Sequence, residues 1–225
     1  MAKLINKPEP AWIISAIVAG LLLVGAIFLP LWKMELVAPQ YPAGLIMHAY
    51  GDRFEGDSGT YYDDVREING LNHYIGMKPI KPVTEMDLFI PGVVATIAGV
   101  IGVSFIGWKR RWFRFLAIAG VWFLPIFFVA DLQYWLYNYG HTMDPHGALN
   151  TGDITPKVIG GTKVWNFHSE NGFEIGFYLM VLAALTITFM PPVLRRVQSR
   201  WAQRTRVARS QPSRTGTTPI HGRTA

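Results

Sequence analysis

The sequence predicts an all-α membrane protein: a four-transmembrane-helix bundle with a small mixed α/β extracytoplasmic cap formed by two outer loops. Half of the 225 residues are hydrophobic and only 16% are charged, whereas a soluble domain carries about 25% charged residues. Four apolar runs each have the length, about 20 residues, that crosses a bilayer core as a helix. Basic residues collect at the ends of these runs, on one predicted side of the membrane.

Four predicted spans divide the chain, and Trp and Tyr gather near their ends, as is typical of rings at a membrane interface. The spans are Trp12–Leu31, Leu88–Trp108, Trp112–Leu136 and Phe173–Leu194. Between and around them lie an N-terminus (1–11), a first outer loop (32–87), a short turn (109–111), a second outer loop (137–172) and a basic tail (195–225) that is predicted to be disordered.

The distribution of Lys and Arg predicts the orientation. Fourteen of the 21 basic residues lie in the N-terminus, at the turn and the start of the third span, or in the tail. Because basic loops stay in the cytoplasm, both termini are predicted to be cytoplasmic. The expected location is the bacterial inner (cytoplasmic) membrane, crossed several times, with the lipid bilayer as the first partner.

Several functions are excluded by what the sequence lacks. It has no cysteine, so disulfides, thiolate zinc sites, cysteine-ligated iron–sulfur clusters and c-type haem attachment are not expected. No histidine lies in a predicted span, which argues against a haem b bundle. The positive charge lies beside apolar segments, so nucleic acid is not an expected partner. No catalytic motif is present, and we expect no enzyme activity and no catalytic residues.

Local patterns predict some structure in the outer loops. Trp32–Val37 and Leu45–Tyr50 read as short strands. A helix is predicted to open at Asp63-Asp64 and to stop at Gly76. Glycines and prolines in the second outer loop favour irregular structure there.

Histidine and methionine are concentrated in these loops and suggest a metal. Five of the six histidines lie there, and imidazole with thioether suits copper, with Met favouring the cuprous ion. The candidate ligands are His73, Met77, His141, Met143, His48 and His146. The alternative is that these histidines only form hydrogen bonds, since His prefers loops to lipid.

Two geometric conditions restrict this ligand set. If His48 lies on a regular strand, Met47 points to the other face and does not share its metal. His73 and Met77 share a helix face only if the helix continues through Gly76.

Two acidic residues near the predicted membrane boundary are further candidates. Asp131 lies toward the end of the third span, and Glu174 opens the fourth. An acid at such a position is a functional candidate. The alternative is an interfacial carboxylate that accepts hydrogen bonds from the loops.

One stretch of the sequence is especially distinctive: Leu71-Asn72-His73-Tyr74-Ile75-Gly76-Met77. Further characteristic stretches are Pro30 through Leu45, Ile68–Gly70, Tyr137–Pro145, Gly160–Lys163 and Asn166-Phe167. Together these stretches, which span about residues 30–170, resemble a family of small bacterial membrane proteins associated with gene clusters for nitrous oxide reductase and its copper-supply factors. The resemblance implies an accessory role in assembling or supplying a periplasmic copper enzyme.

Three functional hypotheses remain open at this point. The first is an accessory factor that binds copper, or docks a copper chaperone, through its outer loops. The second is a non-catalytic scaffold subunit that packs against partner subunits of a larger respiratory or oxidase complex. The third is a small transporter or quinone-linked enzyme, for which Asp131 and Glu174 are the only indications.

Overall fold

The computed structural model describes residues 9–57, 63–81, 89–103, 111–144 and 152–210. Five helices and five strands lie in these ranges. In chain order they are α1 (Pro10–Phe28), β1 (Trp32–Ala38), β2 (Tyr41–Ala49), β3 (Phe54–Gly56), α2 (Asp64–Tyr74), α3 (Phe89–Gly102), α4 (Arg111–His141), β4 (Gly160–Val164), β5 (Phe167–Phe173) and α5 (Ile175–Ser210).

Three helices of the described chain are long and apolar enough to cross a membrane: α1, residues Trp112–His141 of α4, and residues Ile175–Trp201 of α5. The predicted second span contains α3, which has 14 residues within the described ranges. A helix of 14 residues measures about 21 Å, less than a bilayer core of about 30 Å. The prediction of four transmembrane helices is therefore wrong for the described chain, in which three helices and not four are long enough to cross a membrane.

The strands form one five-stranded antiparallel sheet, in the order β3-β2-β1-β5-β4. The central strand β1 follows α1 closely, and β5 leads directly into α5. The predicted all-α class with a small mixed cap is therefore also wrong, because the sheet is a full layer joined to the long helices. Residues 137–172 were expected to be irregular, yet they contain β4 and most of β5. Hydrogen bonding to β1 organises this polar, glycine-containing segment, whose own sequence has little strand preference.

The end of α1 and the start of α5 are joined by backbone hydrogen bonds. The Gly176 amide donates to the Pro30 carbonyl (2.9 Å), and the Glu174 amide donates to the Leu31 carbonyl (3.0 Å). Along its buried face α1 carries small side chains, which let helices approach closely: Ala11, Ser15, Ala16, Ala19 and Ala26. Sequence pattern alone did not predict this joint.

Ion pairs fix the other end of the helices. Glu9, just before α1, pairs with Arg195 of α5 and with Arg114 of α4 (3.7 Å). The beginnings of α1 and α4 therefore lie at the same end as Arg195, and α5 runs antiparallel to both. We call this the basic end of the helices, and the opposite end the sheet end.

The helix α5 continues well beyond the predicted span. The sequence predicted disorder from residue 195, but the helix runs to Ser210. Arg and Gln are good helix formers, and a helix already nucleated in the apolar segment extends at little further cost.

The predicted helix at Asp63-Asp64 is confirmed as α2. The Asp63 carboxylate caps it by accepting a hydrogen bond from the Arg66 amide (3.3 Å), as an N-cap residue does. Asp64 is fully buried and accepts a hydrogen bond from the Ile46 amide (3.0 Å). This bond fastens α2 to β2 and so fixes the position of α2 against the sheet.

Candidate functional site

A largely apolar cavity of about 140 Å³ lies between the sheet, α2 and the last turns of α4. We call the sheet face that borders it the inner face. Strand residues there alternate, as the two-residue period of a strand requires. The inner-face residues that line the cavity are Trp32, Met34, Leu36, Met47, Phe54, Thr162, Val164, Phe167 and Ser169. From the helices it receives Ile68, Leu71, Asn72, Leu132, Trp135 and Leu136, among others.

Two methionines lie opposite each other on the inner face. Met34 of β1 and Met47 of β2 are direct partners in the antiparallel register. The Cβ atoms of such partners are about 4.5–5.5 Å apart. Met47 is 3% exposed and Met34 packs against the buried core. Two flexible thioether side chains thus start close together and both reach the cavity.

Met77 lines the same cavity and is held by the end of α2. Its amide donates to the Asn72 carbonyl (2.7 Å), and the Gly76 amide donates to the His73 carbonyl (3.2 Å). These two bonds, with Gly76 at φ +79°, form a Schellman motif. The helix ends at Tyr74, so His73 and Met77 do not share a helix face. The motif instead directs Met77 to the cavity, while His73 is exposed.

We expect Gly76→Ala to disturb the position of Met77. A side chain at φ +79° strains the backbone by about 1–2 kcal/mol, so the free energy of unfolding should fall by about that amount. Thermal unfolding in detergent micelles measures the loss. Gly70→Ala is the matched control, because Gly70 lies in α2 with no atom within 4 Å of an added Cβ, and it should be neutral or stabilising. Equal stability of the two variants would contradict the assignment of the motif.

Two polar residues outside the cavity wall are partners of residues that line it. The Trp135 side chain forms a hydrogen bond with the Asp131 carboxylate, so this candidate acid is tied to α4 itself, one turn from Trp135. Asn171 is the register partner of Met34 on β5 and is 4% exposed. Its amide nitrogen donates to the Lys157 carbonyl (2.6 Å), while its carbonyl oxygen has no hydrogen-bond partner among the described residues.

Other candidate residues lie on the opposite face of the sheet, which we call the outer face. His48 Nδ1 is 2.8 Å from a Glu174 carboxylate oxygen, so this pair links β2 to the start of α5. The expectation that Met47 and His48 face opposite ways is confirmed, because Met47 lines the cavity. Close to this pair, burial raises the pKa of the Tyr50 phenol, and the charges of Glu55 and Glu174 raise it further.

His141 and its neighbours are near the cavity but do not line it. The His141 ring stacks on Tyr137 at 3.9 Å. Its Nδ1 is 2.9 Å from the Tyr137 carbonyl oxygen, which only accepts, so Nδ1 donates this hydrogen bond. The Asp144 amide donates to the Gly76 carbonyl (2.7 Å). This bond joins the end of α2 to the segment that follows α4.

Of the predicted histidine and methionine ligands that the structure describes, Met77 alone lines the cavity. Among the described ranges no group of three or more His, Asp or Glu side chains is arranged to hold a metal ion. His48 is on the outer face, and His73 is exposed at the end of α2. Met143 lies between His141 and Asp144, and His146 lies outside the described residues.

The candidate ligands predicted from the sequence do not include Met34 and Met47, which share the cavity with Met77. Met34 alternates with Trp32 and Leu36, and this alternation is the signal that places it on the apolar face of β1. The approach of Met77 depends on long-range packing, for which the sequence offers no comparable signal.

Neither a family model nor a curated protein matches this chain. The site is therefore interpreted from its own residues: three thioethers at an apolar cavity, next to helices long enough to cross a membrane.

Proposed function

We propose that this chain is an integral protein of the bacterial inner membrane that acts as an accessory factor for a periplasmic copper enzyme of the nitrous oxide reductase type. Its role is to bind copper or hand it over, with no catalytic turnover. The carrying observation is the concentration of imidazole and thioether side chains, both of which suit copper, at the sheet end of the helices. The described imidazoles and thioethers of that end are His48, His73, His141, His168, Met34, Met47, Met77 and Met143.

The charge distribution supports the orientation within this proposal. Arg114 and Arg195 lie at the basic end, beside Glu9, and further arginines follow in α5. Basic residues favour the cytoplasmic side, so in this proposal the sheet end faces the periplasm. Both α1 and α5 then have their basic ends in the cytoplasm. A periplasmic copper enzyme or a copper chaperone would meet the sheet end.

The resemblance of residues 30–170 to membrane proteins of nitrous oxide reductase gene clusters supports the same role. The most distinctive stretch, Leu71–Met77, forms the end of α2 and the Schellman motif. The same stretch supplies the Met77 side chain to the cavity. A motif that positions a soft donor suits a protein that handles cuprous copper.

The test is a deletion of the gene in its native host. We expect the periplasmic reductase to be made in normal amount but with its copper content reduced several-fold, because apoenzyme accumulates when supply fails. Complementation with the full chain should restore the metal, and metal analysis of purified reductase measures it. A fully copper-loaded reductase in the deletion strain, at limiting copper, would refute this function.

One observation favours the alternative of a scaffold subunit. Between α4 and α5 lies an open apolar groove lined in part by Trp122, Pro125, Ile126 and Phe177, with Ile126 62% exposed. A helix of a partner subunit fits such a surface. In that case the same deletion should lower the amount of a membrane complex and leave the copper content of the reductase unchanged.

A further inference from the structure

We propose that the cavity binds one cuprous ion through the thioether sulfurs of Met34, Met47 and Met77. The site deepens the proposed function, on which its biological role rests, and it replaces the histidine set as the place where the metal is held. Three of the eight methionines of the chain line this one cavity.

The geometry brings the three donors together from separate elements. Met34 and Met47 are register partners on adjacent strands, so their side chains leave the sheet side by side on the inner face. Met77 approaches from α2, where the Schellman bonds of Gly76 and Met77 hold it. Two rigid strands and a capped helix end restrain the ligands, as a preformed site requires.

The absence of charged side chains among the described lining residues favours a soft ion of single charge. None of the described residues lining the cavity is acidic, basic or a histidine. Neutral thioethers suit soft cuprous copper, whereas hard divalent ions require carboxylate or water oxygens. An ion of single charge also has a smaller desolvation cost in an apolar site than a divalent ion.

Aromatic groups of the lining favour a cation over a neutral apolar ligand. The aromatic rings of Trp135 and Phe167 line the cavity, and ring faces attract cations.

The first test is a titration of the purified full chain in detergent micelles. Cuprous ion is supplied in competition with a chromophoric chelator, with silver(I) as a redox-inert check. We expect one ion per chain. The triple substitution Met34→Leu, Met47→Leu and Met77→Leu should weaken binding by about 100-fold or more, since even changes around a metal ligand cost about 10–100-fold. Unchanged affinity in that variant, or no binding by the wild type, would overturn the site.

Two measurements keep the test independent of folding defects. Met180→Leu is the matched control, because Met180 is also buried but lies in α5 outside the cavity, and its binding should equal that of the wild type. X-ray absorption of the copper-loaded wild type should show a first shell of sulfur only. A shell dominated by nitrogen or oxygen would assign the copper to the histidines and reject the thioether site.

The site and the proposed function can fail separately. If the triple variant restores reductase copper fully in the deletion strain, the site is wrong and the accessory function stands. If the wild type binds cuprous ion through sulfur but the deletion leaves the reductase fully loaded, the site stands and the accessory function is wrong.

Discussion

Gly140→Ala is expected to destabilise the protein more than any other single glycine-to-alanine change in the described chain. A Cβ at Gly140 would lie 1.6 Å from the carbonyl oxygen of Ile154 and 2.7 Å from its carbonyl carbon. Both are backbone atoms, and the Ile154 amide also donates to the Gly140 carbonyl (3.0 Å). The segment that crosses the end of α4 must therefore move as a whole. Overpacking of a core costs about 1–3 kcal/mol, and we expect a loss at or above the upper end.

The displacement of this segment should also change the shape of the cavity, because Ile154 and Pro156 form part of its wall. Unfolding in detergent micelles, followed by tryptophan fluorescence, measures the stability of Gly140→Ala. Gly99→Ala is the control, since Gly99 lies in α3 with no atom within 4 Å of an added Cβ. That control should be neutral or stabilising by up to about 1 kcal/mol. A Gly140→Ala protein as stable as the control would contradict the close crossing.

Gly176→Ala is expected to separate the first turn of α5 from the end of α1. The added Cβ would lie 2.7 Å from the Leu29 carbonyl oxygen and 2.8 Å from the Pro30 carbonyl oxygen. The same turn holds the hydrogen bond from the Gly176 amide to Pro30. If the helix moves to relieve the clash, that hydrogen bond lengthens. The cost of the remaining strain and the cost of the weakened bond therefore add. We expect a loss of about 2–3 kcal/mol.

The readout for Gly176→Ala is the yield of folded protein after detergent extraction, together with its unfolding midpoint. Gly172→Ala is matched to it, because Gly172 is four residues away on β5 and an added Cβ there meets nothing within 4 Å. The Gly172 variant should extract and unfold like the wild type. If both variants behave alike, the joint between α1 and α5 does not depend on this close approach.

Local sequence signals predicted the elements whose boundaries are set by nearby residues. The apolar runs predicted the sheet-end boundaries of α1, α4 and α5 to within five residues. Asp63 and Gly76 gave both ends of α2, because a side-chain cap and a left-handed glycine act on the adjacent turn. The alternation of side chains along a strand correctly predicted that Met47 and His48 lie on opposite faces of the sheet.

Elements that depend on contacts between distant parts of the chain were not predicted by these local signals. Strand β5 is polar and contains Gly172, and it becomes a strand because β1 supplies a hydrogen-bonding edge. The cavity likewise requires α2 and the end of α4 to meet the sheet, so the association of Met77 with Met34 and Met47 had no local signal. The sequence predicts His73 and His141 as ligands from their neighbours along the chain, whereas the structure places the cavity beside Met77.

The position of β1 in the sheet has a consequence for biosynthesis. Its neighbour β2 follows after a short turn, but its other neighbour β5 begins about 130 residues later. At a ribosomal rate of about 5–20 residues per second, that interval is on the order of 10 s. During this interval the β1 edge of the nascent hairpin has unpaired amides and carbonyls, which can pair with a wrong strand. The sheet can therefore close only after β5 has been made, and a chaperone that shields strand edges would have to act on this protein before then.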